Sequence, residues 1–172
     1  MSRLWSVGTL LLVLAIGIPA ARATTVRSFT IPALAREADR IVLGTIGNAR
    51  TFWNSDHDTI YTEYDITVER MIKGAATKVL TVRLMGGRIG DVKLSIDGNA
   101  WLEPKERVLV VVRDQESYST LVGMSQGKWS IRTIDGVEYA FRGKPRTSPA
   151  REDGEIPLLD LLKKFSFPAK TQ

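Results

Sequence analysis

The chain has 172 residues, 24 Lys and Arg against 19 Asp and Glu, one histidine and no cysteine. The lack of cysteine excludes thiol catalysis, disulfide staples, cysteine-bound zinc and a lipidated cysteine, and a single histidine is too few for the usual three-ligand catalytic zinc site. The net charge of +5 is spread along the chain without the basic stripe and stacking aromatics of a nucleic-acid binder, so no nucleic-acid partner is expected.

Residues 1–23 read as a secretory signal peptide. Arg3 gives a positive start, Val7 to Pro19 is apolar and uncharged, and Ala21 and Ala23 fit a small-residue cleavage site before Thr24. No later stretch approaches the roughly 20 apolar residues of a membrane span. The expectation is therefore a soluble exported chain, secreted or periplasmic, without stable membrane insertion after cleavage. Removing Arg3 and Arg22 leaves 22 basic residues against 19 acidic ones, a mild +3. Residues 24–172 suit one domain, with a core over about 28–141 and a C-terminal loop and helix over 142–165.

Thr30 before Ile31-Pro32 is a helix N-cap signal, and Ile31, Leu34, Ala35 and Ala38 recur at helical spacing. Arg40 to Trp53 reads as a long strand bent at Gly44 or Gly47. Asn54 to Asp58 is a polar turn. From Thr59 to Met71 the chain alternates strictly. Ile60, Thr62, Tyr64, Ile66 and Val68 share one face, while Tyr61, Glu63, Asp65, Thr67 and Glu69 share a wet one. Lys73-Gly74 ends this strand, and Lys78 to Met85 forms the next, with Leu80, Val82 and Leu84 inward. Gly86 to Gly90 reads as a flexible loop and Asp91 to Leu102 as irregular.

The unbroken apolar run Val108 to Val112 predicts a central strand buried on both faces. Ser117 to Met124 predicts another strand. Trp129, Ile131 and Thr133 alternate, as do Val137, Tyr139 and Phe141, and the Asp135-Gly136 between them is a strong hairpin signal. Ile156 to Phe165 predicts a short amphipathic helix through Leu158, Leu159, Leu161 and Leu162. Seven or so strands with one short helix near each end, and no βαβ alternation, favour a mainly β fold, a small curled sheet or barrel.

Catalytic signals are few. Asp56-His57-Asp58 is a weak metal pattern in a turn, no Ser stands in a G-x-S-x-G elbow, and Gly86-Gly87-x-x-Gly90 lacks the ending of a phosphate loop. Glu63, Asp65 and Glu69 lie on one wet strand face, solvated and with no cleft in view for carboxylate chemistry. No cofactor, metal site or catalytic residue is implied. Trp129 reads as core. Trp53, bordering the exposed turn, is either a contact anchor or packed at an edge.

Taken in order, "EADRIVLGTI", "TEYDITVERMIKG", a Gly-rich loop, "VLVVV" and "SQGKWSI" resemble a group of bacterial exported proteins without an assigned activity. More distantly they resemble the netrin-like domains, which include the tissue inhibitors of metalloproteinases. The likeness covers about residues 24–134. It implies an OB-like (oligomer-binding) five-stranded β-barrel with flanking helices. In those inhibitors the amine and carbonyl of the mature first residue bind the target's catalytic zinc, which places Thr24, with Thr25 beside it, as binding residues. They staple that terminus with Cys-x-Cys disulfides where this chain has Thr24-Thr25-Val26, and an unstapled arm loses about 1–2 kcal/mol per residue fixed on binding. The expected function is a non-catalytic exported module that binds a protein or envelope partner, in its sharper form an inhibitor of an exported metallopeptidase. The alternatives are a hydrolase using surface carboxylates and a structural or assembly component pairing through edge strands.

Overall fold

Helix α1, Ile31–Glu37, starts where Thr30 leaves extended backbone, and the Thr30 hydroxyl accepts a hydrogen bond from the Ala33 N–H at 3.3 Å. The computed structural model describes residues 28–144, 150 and 152–166. Residues 1–23, read above as a signal peptide, and Thr24 and Thr25 lie outside them. Ala38 turns extended, and the chain enters β1, Arg40–Trp53.

Strand β2, Ile60–Lys73, returns antiparallel to β1, and β3, Val79–Met85, continues the meander. After a small hairpin of β4, Gly87–Ile89, and β5, Val92–Leu94, strand β6, Arg107–Asp114, pairs with β1 through Arg40 to Thr45. β7, Ser119–Leu121, pairs antiparallel with β6 and touches β3 in parallel at Val82 and Ser119. The ring β1-β2-β3-β7-β6 thereby closes on β1 as a five-stranded barrel. A 3₁₀ turn, Met124–Gly127, leads to β8, Lys128–Ile134, β9, Val137–Phe141, and β10, Ile156–Pro157, which extend the sheet outward from β6. Helix α2, Leu158–Ser166, follows.

The bend in β1 has a local cause. Its register with β2 shifts at Ile41/Val42, Leu43/Gly44 and Ile46/Ala49. A methyl group on Gly44 would stand 2.3 Å from the Thr67 carbonyl oxygen, so only glycine allows the two backbones to approach there.

β6 divides two cores. Val108, Val110 and Val112 join Val42, Ile46, Ile66, Leu80 and Val82 inside the barrel. Leu109 and Val111 face outward, into a second core with Leu34, Trp129, Leu161 and Phe165 under the two helices. An apolar run without alternation is what a strand shared by two cores requires. Trp129 meets Phe165 edge-on at 5.5 Å. The Asp135-Gly136 turn has positive φ at both residues, 48° and 77°, the geometry that its sequence predicts.

Three local expectations are corrected. The strand expected over Ser117 to Met124 is limited to Ser119–Leu121, because Gly123 takes φ +67° and opens the 3₁₀ turn. The residues read as a loop and irregular chain contain the β4–β5 hairpin, whose three-residue strands are too short to show a period. Leu159 is 70% exposed, since Ile156–Pro157 form β10 and α2 turns Leu158, Leu161, Leu162 and Phe165 inward instead.

The two short motifs that frame the first hairpin meet in space. Lys73 Nζ donates to the carbonyls of Ala35 at 2.8 Å and Ala38 at 2.5 Å, closing the end of α1. Gly74, at φ +96°, passes against the Asp39 carbonyl and Arg40. Asp39 accepts the Asp114 N–H at 2.9 Å, and Arg40 Nε donates to the Asp114 carboxylate at 2.8 Å. "EADR" and "KG" thus form a clasp that fixes α1 on the rim of the barrel.

Candidate binding surface

Antiparallel register sets the outer face of β1, β2 and β3 in rows. Because Ile60 and Thr62 point into the barrel, Tyr61 and Glu63 point out. One row is Arg50, Glu63 and Arg83, and the next is Phe52, Tyr61 and Met85.

Glu63 is the hub of the first row. Arg50 Nη2 donates to one carboxylate oxygen at 2.5 Å, and Arg83 donates to the other through Nε at 2.9 Å and Nη2 at 2.6 Å. The side chain is only 11% exposed. That burial alone would raise its pKa, but the hydrogen bonds and charges of Arg50 and Arg83 prevail and hold it below its ordinary 4.5.

The arginines also engage the aromatic row. Arg83 lies 3.6 Å from the Tyr118 ring centroid and 5.3 Å from that of Phe52, and Arg50 lies 5.0 Å from Phe52. Phe52 and Tyr61 stack at 6.3 Å. Two cations, three rings and one carboxylate therefore fix one another into a firm patch that includes the 44%-exposed Met85 at its edge.

Trp53, the aromatic singled out from sequence, pairs with Ile60 and belongs to the alternate row. It is half-buried at the end of the hairpin and stacks on His57 at 6.3 Å. It borders the patch without joining its rows. Sequence alternation placed Tyr61 and Glu63 on the outer face but missed Arg50, Phe52, Arg83 and Tyr118, because cross-strand register is not visible along one strand.

Of the three carboxylates expected on the wet face, Asp65 and Glu69 are exposed as expected and make surface pairs, whereas Glu63 is enclosed by its two arginines. Glu69 accepts from Thr45 Oγ1 at 2.7 Å and Arg107 Nε at 2.7 Å, Arg107 also pairs with Glu138, and Asp65 accepts from Thr81 Oγ1 at 2.9 Å. In the Asp56-His57-Asp58 turn, Asp58 accepts from Asn54 Nδ2 and Thr59 Oγ1 while His57 Nδ1 faces the Ser55 carbonyl. Among the described residues no three His, Asp or Glu side chains converge as metal ligands would.

One further constellation is chemically suggestive. Lys128 Nζ lies 2.7 Å from Ser130 Oγ, the pairing of a serine nucleophile with a lysine base. Both, however, bind Glu106 Oε1 at 2.5 Å. Lys128 and Glu106 side chains are 2% and 6% exposed, and burial lowers the lysine pKa against the opposing pull of Glu106. A substrate cannot reach Ser130 Oγ in this enclosure, so the trio braces β8 against the start of β6.

At the far end of the sheet, β10 has two residues and one is Pro157, which lacks an N–H, so this edge is blunt toward another strand. Comparison with protein-family models and with curated proteins finds no match for this chain.

Proposed function

We propose that the protein is an exported, non-catalytic binding module that recognises a protein partner through the outer face of β1–β3. The observation that carries this reading is the patch of Phe52, Tyr61 and Tyr118 locked by Arg50, Arg83 and Glu63. Tyrosine and arginine dominate binding hot spots, and side chains already fixed lose little entropy on contact. The export half of the reading rests on the leader-like residues 1–23. The barrel order β1-β2-β3-β7-β6, with its parallel β3–β7 contact, supports an oligomer-binding-type fold. The clasp gives the motif residues of the netrin-like resemblance a shared task. The test is native co-isolation of partners from the exported fraction, comparing the parent with the Phe52→Ala/Tyr118→Ala variant. Loss of a partner from a variant that unfolds like the parent supports the reading; identical recovery overturns it.

A metallopeptidase inhibitor is the sharper form of this reading, and one observation favours it. The Phe29 N–H donates to Gln126 Oε1 at 2.7 Å, and the Phe29 ring packs so closely on Gly123 that an added methyl group would stand 2.9 Å from it. This moors the chain ahead of α1 without a disulfide, at a residue five positions after Thr24 in the sequence. Assay of the chain beginning at Thr24, with and without one added residue, against zinc peptidases of the same organism tests it. Inhibition by the unextended chain alone is expected, and its absence overturns the inhibitor reading while leaving the outer-face reading standing.

A further inference from the structure

Where β3 ends, the chain folds back sharply over the mouth of the barrel. Gly86 N–H donates to the Ile60 carbonyl at 2.7 Å, Thr62 Oγ1 donates to the Gly86 carbonyl at 2.8 Å, and Asn99 Nδ2 donates to the Met85 carbonyl at 2.5 Å. Gly87, at φ +143°, leaves no room for a side chain: a methyl group there would stand 2.5 Å from Thr62 Oγ1. These bonds hold the β4–β5 hairpin above a cleft of about 350 Å³, walled by Tyr64, Leu84, Arg88, Lys93, Asn99 and Trp101. That volume falls at the small end of ligand sites.

The cleft combines three kinds of unspent chemistry. Arg88 and Lys93 stand directly opposite each other across β4 and β5, where like charges cost stability, and among the described residues no carboxylate forms an ion pair with either. Tyr64 and Ser95 line the cleft with hydroxyls that have no hydrogen-bond partner among the described residues. Burial pushes the Tyr64 phenol above its usual 10, so it remains a donor at neutral pH. Asn99 donates one amide N–H to Met85 and retains its carbonyl oxygen. Finally, Trp101 is 45% exposed yet held in place, its indole N–H donating to Glu103 at 2.6 Å and Lys144 Nζ lying 4.2 Å from its ring centroid. Among the described residues no Asp or Glu lines this cleft.

We propose that the cleft binds an acidic sugar, a pyranose ring bearing a carboxylate. Arg88 and Lys93 take the carboxylate, which removes the cost of their opposition. Tyr64, Ser95 and the Asn99 carbonyl take ring hydroxyls, and the flat indole of Trp101 lies against the C–H face of the ring. A bare anion would leave the hydroxyl groups and the indole unused, and a neutral sugar would leave the two cations opposed. The site is separate from the outer face of β1–β3, and the proposal stands whether or not that face binds a protein.

The test titrates the purified protein, by tryptophan fluorescence and amide NMR, with digalacturonate, long polygalacturonate, neutral galactobiose and inorganic phosphate at one ionic strength. Saturable binding of either acidic probe is expected, with shifts at Trp101, Ser95 and the β4–β5 amides. Affinity per sugar unit distinguishes a free sugar acid from a polysaccharide as the source. Arg88→Gln/Lys93→Gln, on an exposed hairpin, is expected to weaken binding about tenfold, as is Trp101→Ala, while Lys78→Gln, exposed and outside the cleft lining, leaves it unchanged. The proposal is overturned if neither acidic probe binds, if galactobiose or phosphate binds as well as digalacturonate, or if the double variant, unfolding like the parent, binds unchanged.

Discussion

Replacing Lys73 with Met tests whether the two short motifs act together. The ammonium closes the end of α1 through two carbonyls, Ala35 at 2.8 Å and Ala38 at 2.5 Å. Hydrogen bonds from a charged donor contribute about 1.5–3 kcal/mol each when well shielded. Lys73 is at the surface, where water competes, so the pair together is expected to contribute about 1–2 kcal/mol. For a domain of this size that lowers the midpoint of thermal unfolding by about 2–8 °C. Urea unfolding of Lys73→Met, Lys73→Arg and Lys78→Met measures it. Lys78 has no side-chain hydrogen bond or ion pair among the described residues and serves as the matched control. The expected order is Lys73→Met clearly weakened, Lys73→Arg partly restored, and Lys78→Met within about 0.5 kcal/mol of the parent. A Lys73→Met protein as stable as the Lys78→Met control would refute the clasp.

Other consequences can be measured alongside. Glu63, held below 4.5 by its arginines, adds stability above that pH and loses it as pH falls through its lowered value. The stability gap between parent and Glu63→Gln should therefore narrow from pH 7 to pH 3 in urea titrations, and a constant gap would contradict the pairing. Gly44→Ala forces β1 away from the Thr67 carbonyl and should cost about 1–3 kcal/mol or more, whereas Gly136→Ala, with nothing within 4 Å, carries only the cost of its positive φ. Lys128→Met strands the Glu106 carboxylate and should cost about 3–5 kcal/mol, with much of that recovered in Lys128→Met/Glu106→Leu. Additive losses in that pair would show that the two residues act separately.

What the sequence revealed depended on the length of each pattern. The run Val108 to Val112 announced a strand between two cores because five successive apolar residues cannot sit on a strand with a wet face. The alternation of β2 and the Asp135-Gly136 turn were equally direct. Three-residue β4 and β5 were hidden because so few positions carry no period, and they hold Arg88 and Lys93 of the mouth cleft. Leu159 was misplaced because β10 delays the start of α2. The outer-face patch was hidden for a different reason. Arg50, Glu63 and Arg83 are far apart in the chain, and only the bulged register of β1 on β2 aligns them. The wet-face reading holds for Asp65 and Glu69 and misses only the enclosure of Glu63, for that same reason. Thr24 and Thr25 rest on the resemblance and the leader pattern alone, whereas the mooring of Phe29 is a structural fact that neither supplied.

The claim that the outer face of β1–β3 is the contact surface is tested most directly by photo-crosslinking in the living cell. A photoreactive phenylalanine placed at Tyr118 is compared with the same probe at Val137, which is 46% exposed on β9 away from the patch. The account predicts a discrete adduct of one partner protein from position 118, in exported material, and none from position 137. No adduct at 118, or the same adducts from both positions, would contradict it.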